Sequence, residues 1–204
     1  MKAIKLMLSL VLALWGTTAL ADSPLTSTHF ADVYADCPMV QMAIESDGNL
    51  NTTLLNFLAD KKSPVDQRVA VINALGWDFD GKTTGDQLKQ FLMTRFKAKN
   101  DKQLLKKLDA KTLVTLGYAM AMSNYFEVND AITFTQAAVK KNGRKSFTVD
   151  FIAGLVKAQY FLDHDWSKIY PIFTDIMNDG RYKLDMRQGA IDAVMEYINL
   201  YKDE

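Results

Sequence analysis

From Thr112 to Phe126 the chain carries no charged side chain. Apolar or small residues (Leu113, Val114, Leu116, Tyr118, Met120, Met122, Tyr125) fall on every face of a helical wheel, which predicts a helix with no side left for water. Asp109 is placed to cap its N-terminus, and Glu127 is the first charge beyond it. A membrane span wants about 20 apolar residues, so this stretch is a buried central helix instead. Gly117, Ala119 and Ala121 leave room for neighbouring helices to come close.

The flanking pattern is helical throughout. After a polar lead-in over 22–27, Thr28 is placed to cap a helix carrying Tyr34, Val40 and Ile44, with Pro38 kinking or splitting it. A turn at Asp47-Gly48-Asn49 precedes Leu50, Leu54, Leu55 and Leu58 at helical spacing, capped by Asn49 or Asn51. Ser63-Pro64 reads as a cap followed by proline at the first helical position, opening a stripe of Val65, Val69, Ile72 and Leu75 that stops at Gly76. A loop from Asp78 to Gly85 leads to a helix with Leu88, Phe91, Leu92 and Phe96, and Asp101 starts a short one with Leu104, Leu105 and Leu108. Beyond the central helix, Asn129-Asp130 opens a partner that ends at Gly143. Three more helices are predicted from Phe147 to Asp163, Trp166 to Asn178 and Leu184 to Tyr201. No stretch alternates with period two, so the fold class is all-α: a helical bundle or short α-α solenoid of about nine to ten helices.

The first residues add a compartment. Lys2 and Lys5 precede an apolar run from Leu6 to Trp15, and Ala19-Leu20-Ala21 is an A-x-A cleavage site. Residues 1–21 therefore read as a signal peptide, and 22–204 as a single helical domain in the periplasm or secreted. The only cysteine, Cys37, cannot form an internal disulfide, so the core must hold the fold together, with Cys37 as a small hydrophobe in it. Apart from the leader, no transmembrane segment is expected.

Charge is unevenly spread. Residues 22–60 hold six acidic side chains and no Lys or Arg, residues 61–111 hold twelve basic and six acidic ones, and 112–204 hold ten basic and twelve acidic. Without a basic excess, nucleic acid is excluded as a dedicated partner. The simplest expectation is that the acidic N-terminal segment packs near the basic middle.

The C-terminal half carries a weak repeat. Asn142-Gly143-Arg144 and Asp179-Gly180-Arg181 lie 37 residues apart, and the same shift superposes Ile132 on Ile169, Val139 on Ile176 and Ala153 on Ala190. Periods in this range belong to stacked helix hairpins. With Ala119 as a small residue in its first helix and Ala131 and Ala138 seven apart in its second, the central hairpin resembles a tetratricopeptide unit. Thr135 stands where that family has an aromatic, and Gly143 where it has the closing proline. The likeness spans at most residues 112–201 and implies a peptide-binding groove; a plain bundle fits the same pattern.

Candidate chemistry is sparse. Gly76-Trp77-Asp78-Phe79-Asp80-Gly81-Lys82-Thr83 satisfies the G-x-x-x-x-G-K-[ST] phosphate-loop pattern. Two carboxylates inside it repel phosphate, however, and a helix rather than a strand precedes it. It reads better as a helix end and a polar turn anchored on the core by Trp77 and Phe79. Asp78, Asp80 and Asp86 offer a loose calcium site, although glycine comes fourth and Lys89 twelfth where an EF-hand needs glycine sixth and Glu twelfth. His164, between Asp163 and Asp165, is the candidate acid or base of a hydrolase, on what reads as an exposed loop. Lys97, Lys99, Lys102, Lys106, Lys107 and Lys111 form a basic run. It is either a solvated helix face or a surface for an anionic membrane, a polyanion or an acidic partner. No cofactor is called for. The sequence thus points to an exported helical module that binds a protein or peptide partner without catalysis. The alternatives are a small-ligand or lipid carrier and a hydrolase using His164.

Overall fold

In the computed structural model, which describes residues 22–204, ten α-helices follow one another. They are α1 (Pro38–Glu45), α2 (Thr52–Ala59), α3 (Val65–Leu75), α4 (Thr84–Arg95), α5 (Asp101–Lys107), α6 (Ala110–Ser123), α7 (Asn129–Asn142), α8 (Phe147–Leu162), α9 (Ile169–Met177) and α10 (Gln188–Ile198). Short 3-10 turns occupy Ala31–Tyr34, Trp166–Lys168 and Asn199–Tyr201, and no strand occurs among the described residues. The fold is all-α. None of the described helices is long and apolar enough to cross a membrane. The signal peptide expected over 1–21 lies outside the described residues.

Residues Thr112 to Ser123 of the charge-free stretch lie in α6, where all but the half-buried Met120 are buried, whereas Asn124 and Phe126 beyond the helix end are exposed. Asp109 caps α6, accepting from the Thr112 amide at 2.8 Å. α3, α4, α7 and α8 all pack on it. Small residues set how closely they come. A Cβ on Gly85 would lie 2.8 Å from the Cα of Met120, so α4 rests backbone to backbone on α6. A Cβ on Gly117 would lie 2.6 Å from Thr135 Cγ2 and 3.1 Å from the Ala131 carbonyl, which fixes the α6–α7 approach. That contact explains the small side chain at 135, because an aromatic ring has no room against Gly117.

Several boundaries differ from those the sequence predicts, each for a local reason. Thr28 caps nothing: its hydroxyl donates to the Pro24 carbonyl (2.6 Å), while the amides of Phe30 and Ala31 both donate to Asn73 Oδ1 (2.8 and 2.9 Å). Pro38 opens α1, where its missing N–H is harmless, so it splits the segment instead of kinking it. Asn51 caps α2, accepting from the Leu54 amide at 3.0 Å. At α3 the cap position is Pro64 itself, and Ser63 lies one residue outside. Gly76 and Gly143 end their helices at positive φ (69° and 56°), the conformation glycine adopts without strain. The last helix begins at Gln188 rather than Leu184, because the backbone of Lys183 is already engaged: its amide donates to the Lys145 carbonyl (2.9 Å) and its carbonyl accepts from the Phe147 amide (3.1 Å).

The acidic N-terminal segment packs on the basic middle, with the Ala31–Tyr34 turn, α1 and α2 all against α3, but no ion pair joins the two among the described residues. Asp36 instead takes both terminal nitrogens of Arg187, whose guanidinium stacks 4.5 Å from the Tyr34 ring centre and also donates to the Val33 carbonyl (2.8 Å). A planar fork that pairs bidentately and stacks at once suits arginine and not lysine. The start and end of the described chain are thereby clamped together. Cys37 is buried, with Sγ 3.5 Å from Gln67 Oε1.

Candidate functional site

α7 and α9 both lie against α8, and the trough between them has a volume of about 530 Å³. Its α7 wall presents Ile132, Gln136, Val139 and Lys140, whose spacing puts all four on one helical face. Its α9 wall presents Ile172 and Ile176, one turn apart. Ala153 and Gly154 of α8 form the floor. A Cβ on Gly154 would lie 3.0 Å from Ile172 Cγ2, so glycine both lowers the floor and lets α9 settle onto α8.

One end of the trough is polar and rigid. Asp150, in the first turn of α8, is buried and accepts from Asn142 Nδ2 (2.8 Å) and from the Tyr182 hydroxyl (2.6 Å). Burial, reinforced by the Asp150 carboxylate, pushes the Tyr182 phenol well above its ordinary range, so it stays a donor. Asn142 also closes the α7–α8 turn, bonding both the carbonyl (2.8 Å) and the amide (3.0 Å) of Ser146. Arg144 of that turn pairs with Asp179 of the α9–α10 turn, and Ser146 and Lys183 form a parallel bridge. The equivalent turns of the 37-residue repeat thus lie side by side. Along the rim, Lys140 and Asp175 have no ion partner among the described residues, and the Lys157 ammonium lies 5.5 Å over the Phe161 ring. Such a trough can seat an aliphatic side chain between α7 and α9, pair a carboxylate with Lys140 and bond a backbone amide or carbonyl through Gln136.

The residues singled out from sequence lie elsewhere and mostly apart. Lys97, Lys99, Lys102, Lys106 and Lys111 are exposed with no ion partner among the described residues. Lys107 does something different: its ammonium caps α4, donating to the carbonyls of Phe96 (2.9 Å) and Lys97 (2.7 Å). Asp78 lines a polar cleft beside the α3–α4 loop and accepts from the Asp80 amide (3.0 Å), whereas Asp86 lines a different one. No group of three His, Cys, Asp or Glu among the described residues is arranged to hold a metal ion. Lys82, the lysine of the formal phosphate loop, reaches back to the Leu75 carbonyl at 2.6 Å and caps α3. Trp77 packs edge-on to Tyr125, but Phe79 is not an anchor: it is 68% exposed and stands edge-on to Phe126, itself 61% exposed.

His164 is exposed and held by its own turn. Its Nδ1 donates to the Tyr160 carbonyl (2.6 Å), and its ring stacks on Tyr160 at 3.9 Å. Neither neighbouring carboxylate bonds to it. Asp165 takes the Ser167 hydroxyl and the Lys168 ammonium, which hold its carboxyl below the ordinary range.

The trough was legible in part. Val139 and Ile176, superposed by the 37-residue shift, both line it, while Ile132 lines it and its counterpart Ile169 is buried. No pattern in the sequence marks Gly154 or Asp150, whose roles depend on which helix lies opposite. Comparison with known proteins adds no relative: no protein-family model matches the chain, and neither the curated proteins nor the solved structures give a significant match.

Proposed function

We propose that this protein is an exported, non-catalytic binding module that holds an extended segment of a partner protein in the α7–α9 trough. The observation that carries the reading is the pairing of aliphatic walls with a small-residue floor: Ile132 and Val139 face Ile172 and Ile176 across Ala153 and Gly154. Helix-hairpin stacks bind extended peptides along such concave surfaces, with side-chain pockets giving specificity. The free ammonium of Lys140 favours a segment with an acidic residue beside its aliphatic anchor.

Selection from a random peptide library with the chain over 22–204 tests this. Peptides combining an aliphatic residue with a neighbouring Asp or Glu should be enriched. Val139→Asp, at a position 38% exposed, should weaken their binding at least tenfold (about 1.4 kcal/mol) while leaving the melting temperature in place. Absence of any enriched peptide, or binding indifferent to Val139→Asp, would sink the proposal.

A further inference from the structure

A second cleft, of about 630 Å³, opens where the N-termini of α3, α6 and α8 meet the C-terminus of α7. Five lysines and three aspartates line it. The lysines come from parts of the chain far apart in sequence, and their environments differ. Lys111, Lys145 and Lys183 are exposed and have no ion partner among the described residues. The Lys141 ammonium is fixed on three carbonyls at the end of α5, those of Leu105 (2.7 Å), Lys106 (3.0 Å) and Leu108 (2.6 Å).

The three carboxylates offset only part of this charge, and each is held by other groups. Asp109 is spent on capping α6, with Lys61 only at 3.9 Å. Asp185 accepts from the amide and hydroxyl of Thr148, both at 3.0 Å, and so serves the start of α8. Burial holds the Asp66 carboxyl above its ordinary range. The positive ends of three long helices add to the potential, against the negative end of one.

We propose that this cleft binds a small ligand carrying several phosphate groups, held by Lys111, Lys145 and Lys183. The volume exceeds that of a single inorganic ion and lies in the range of small-molecule sites, about 300–1,000 Å³. Three separate ammonium groups on different elements call for several negative charges on one ligand. The absence of arginine from this lining speaks against a planar carboxylate, which the guanidinium fork would match, and for the point-charge contact of lysine with phosphate. The proposal does not rest on peptide binding in the α7–α9 trough, although Asn142 lines the cleft and bonds to Asp150 at the end of the trough.

Isothermal titration of the chain over 22–204 with sodium tripolyphosphate at low salt tests this. The expected result is saturable one-to-one binding that weakens as salt rises. The triple variant Lys111→Gln/Lys145→Gln/Lys183→Gln should lose at least tenfold in affinity. The triple Lys99→Gln/Lys102→Gln/Lys106→Gln, which removes the same charge outside the cleft, should keep wild-type affinity. No saturable binding, or equal losses in the two triples, overturns the proposal. So does tighter binding of a hexaglutamate peptide than of tripolyphosphate at equal ionic strength, which would make the ligand an acidic chain. Phosphatidic acid vesicles identify the source: sedimentation with them, lost in the cleft triple alone, makes it a lipid headgroup, and tripolyphosphate binding without sedimentation makes it a soluble phosphate compound.

Discussion

At the residue scale, the side chain of Arg68 is fully buried among described residues that give it little in return. One terminal nitrogen donates to the Leu58 carbonyl and to Thr112 Oγ1, both at 3.3 Å, while Nε and the other terminal nitrogen find no acceptor there. Burial lowers its pKa, and the charges of Asp109 and Asp60 oppose that without bonding to it. Since a buried ion without full pairing is commonly replaced by an apolar side chain at no loss, Arg68→Met should leave the chemical-denaturation midpoint unchanged or raise it. A fall in stability of more than about 2 kcal/mol would show that the guanidinium is better served than its bonds suggest. Asp66 gives a pH-dependent counterpart. Burial raises its pKa, outweighing hydrogen bonds from the Gln67 amide and the Tyr34 hydroxyl. The folded chain thus binds this proton more tightly than the unfolded one. The resulting stability is complete below the ordinary Asp value of about 4 and is lost as pH rises through the raised value. Asp66→Asn should therefore melt higher than the wild type at neutral pH, with the gap closing in acid; melting curves in which the variant is less stable at neutral pH would contradict this.

At the element scale, α6 and its neighbours were the most legible part of the molecule, and they carry the sharpest packing predictions. A helix without charge has one stable place in this fold, inside a ring of other helices, which is why Asp109, Ala119 and Ala121 fall where the pattern puts them. Ala121→Glu buries a carboxylate with no partner and should destabilise by several kcal/mol, on the order of the whole stability of a marginal domain. Gly85→Ala is a milder probe of the same core. Its Cβ would meet the α6 backbone, which cannot rotate away, so a loss of about 1–3 kcal/mol is expected in a denaturant melt. Unchanged stability in either variant would mean that α6 is not the packed axis of the fold. Boundaries were less legible wherever tertiary contacts override local preference. Leu184 continues an apolar period, yet Lys183 bonds to the α7–α8 turn and holds residue 184 outside α10, 59% exposed. Thr28 looked like a cap because nothing local announces that Asn73, 45 residues away, receives the amides that follow it.

At the scale of the whole molecule, charge was the least legible property. The acidic lead segment and the basic middle look complementary along the chain, but Asp36 is satisfied by Arg187 near the other end, and Lys107 and Lys82 turn back onto helix carbonyls. Linear charge blocks say little about pairing when helices bring distant termini together. The same assembly creates both sites proposed here: the trough from a repeat that the sequence only hints at, and the lysine cleft from positions between 61 and 183 that no local pattern connects. The central claim, that the α7–α9 trough receives a peptide, is tested most directly by methyl NMR of the isoleucine-labelled chain titrated with a library-selected peptide. Peptide seated in the trough should shift Ile132, Ile172 and Ile176 in parallel and saturate them together, while Ile72 and Ile191 in the buried core stay in place. Saturable shifts confined to isoleucines outside the trough, with those three unmoved, would contradict it.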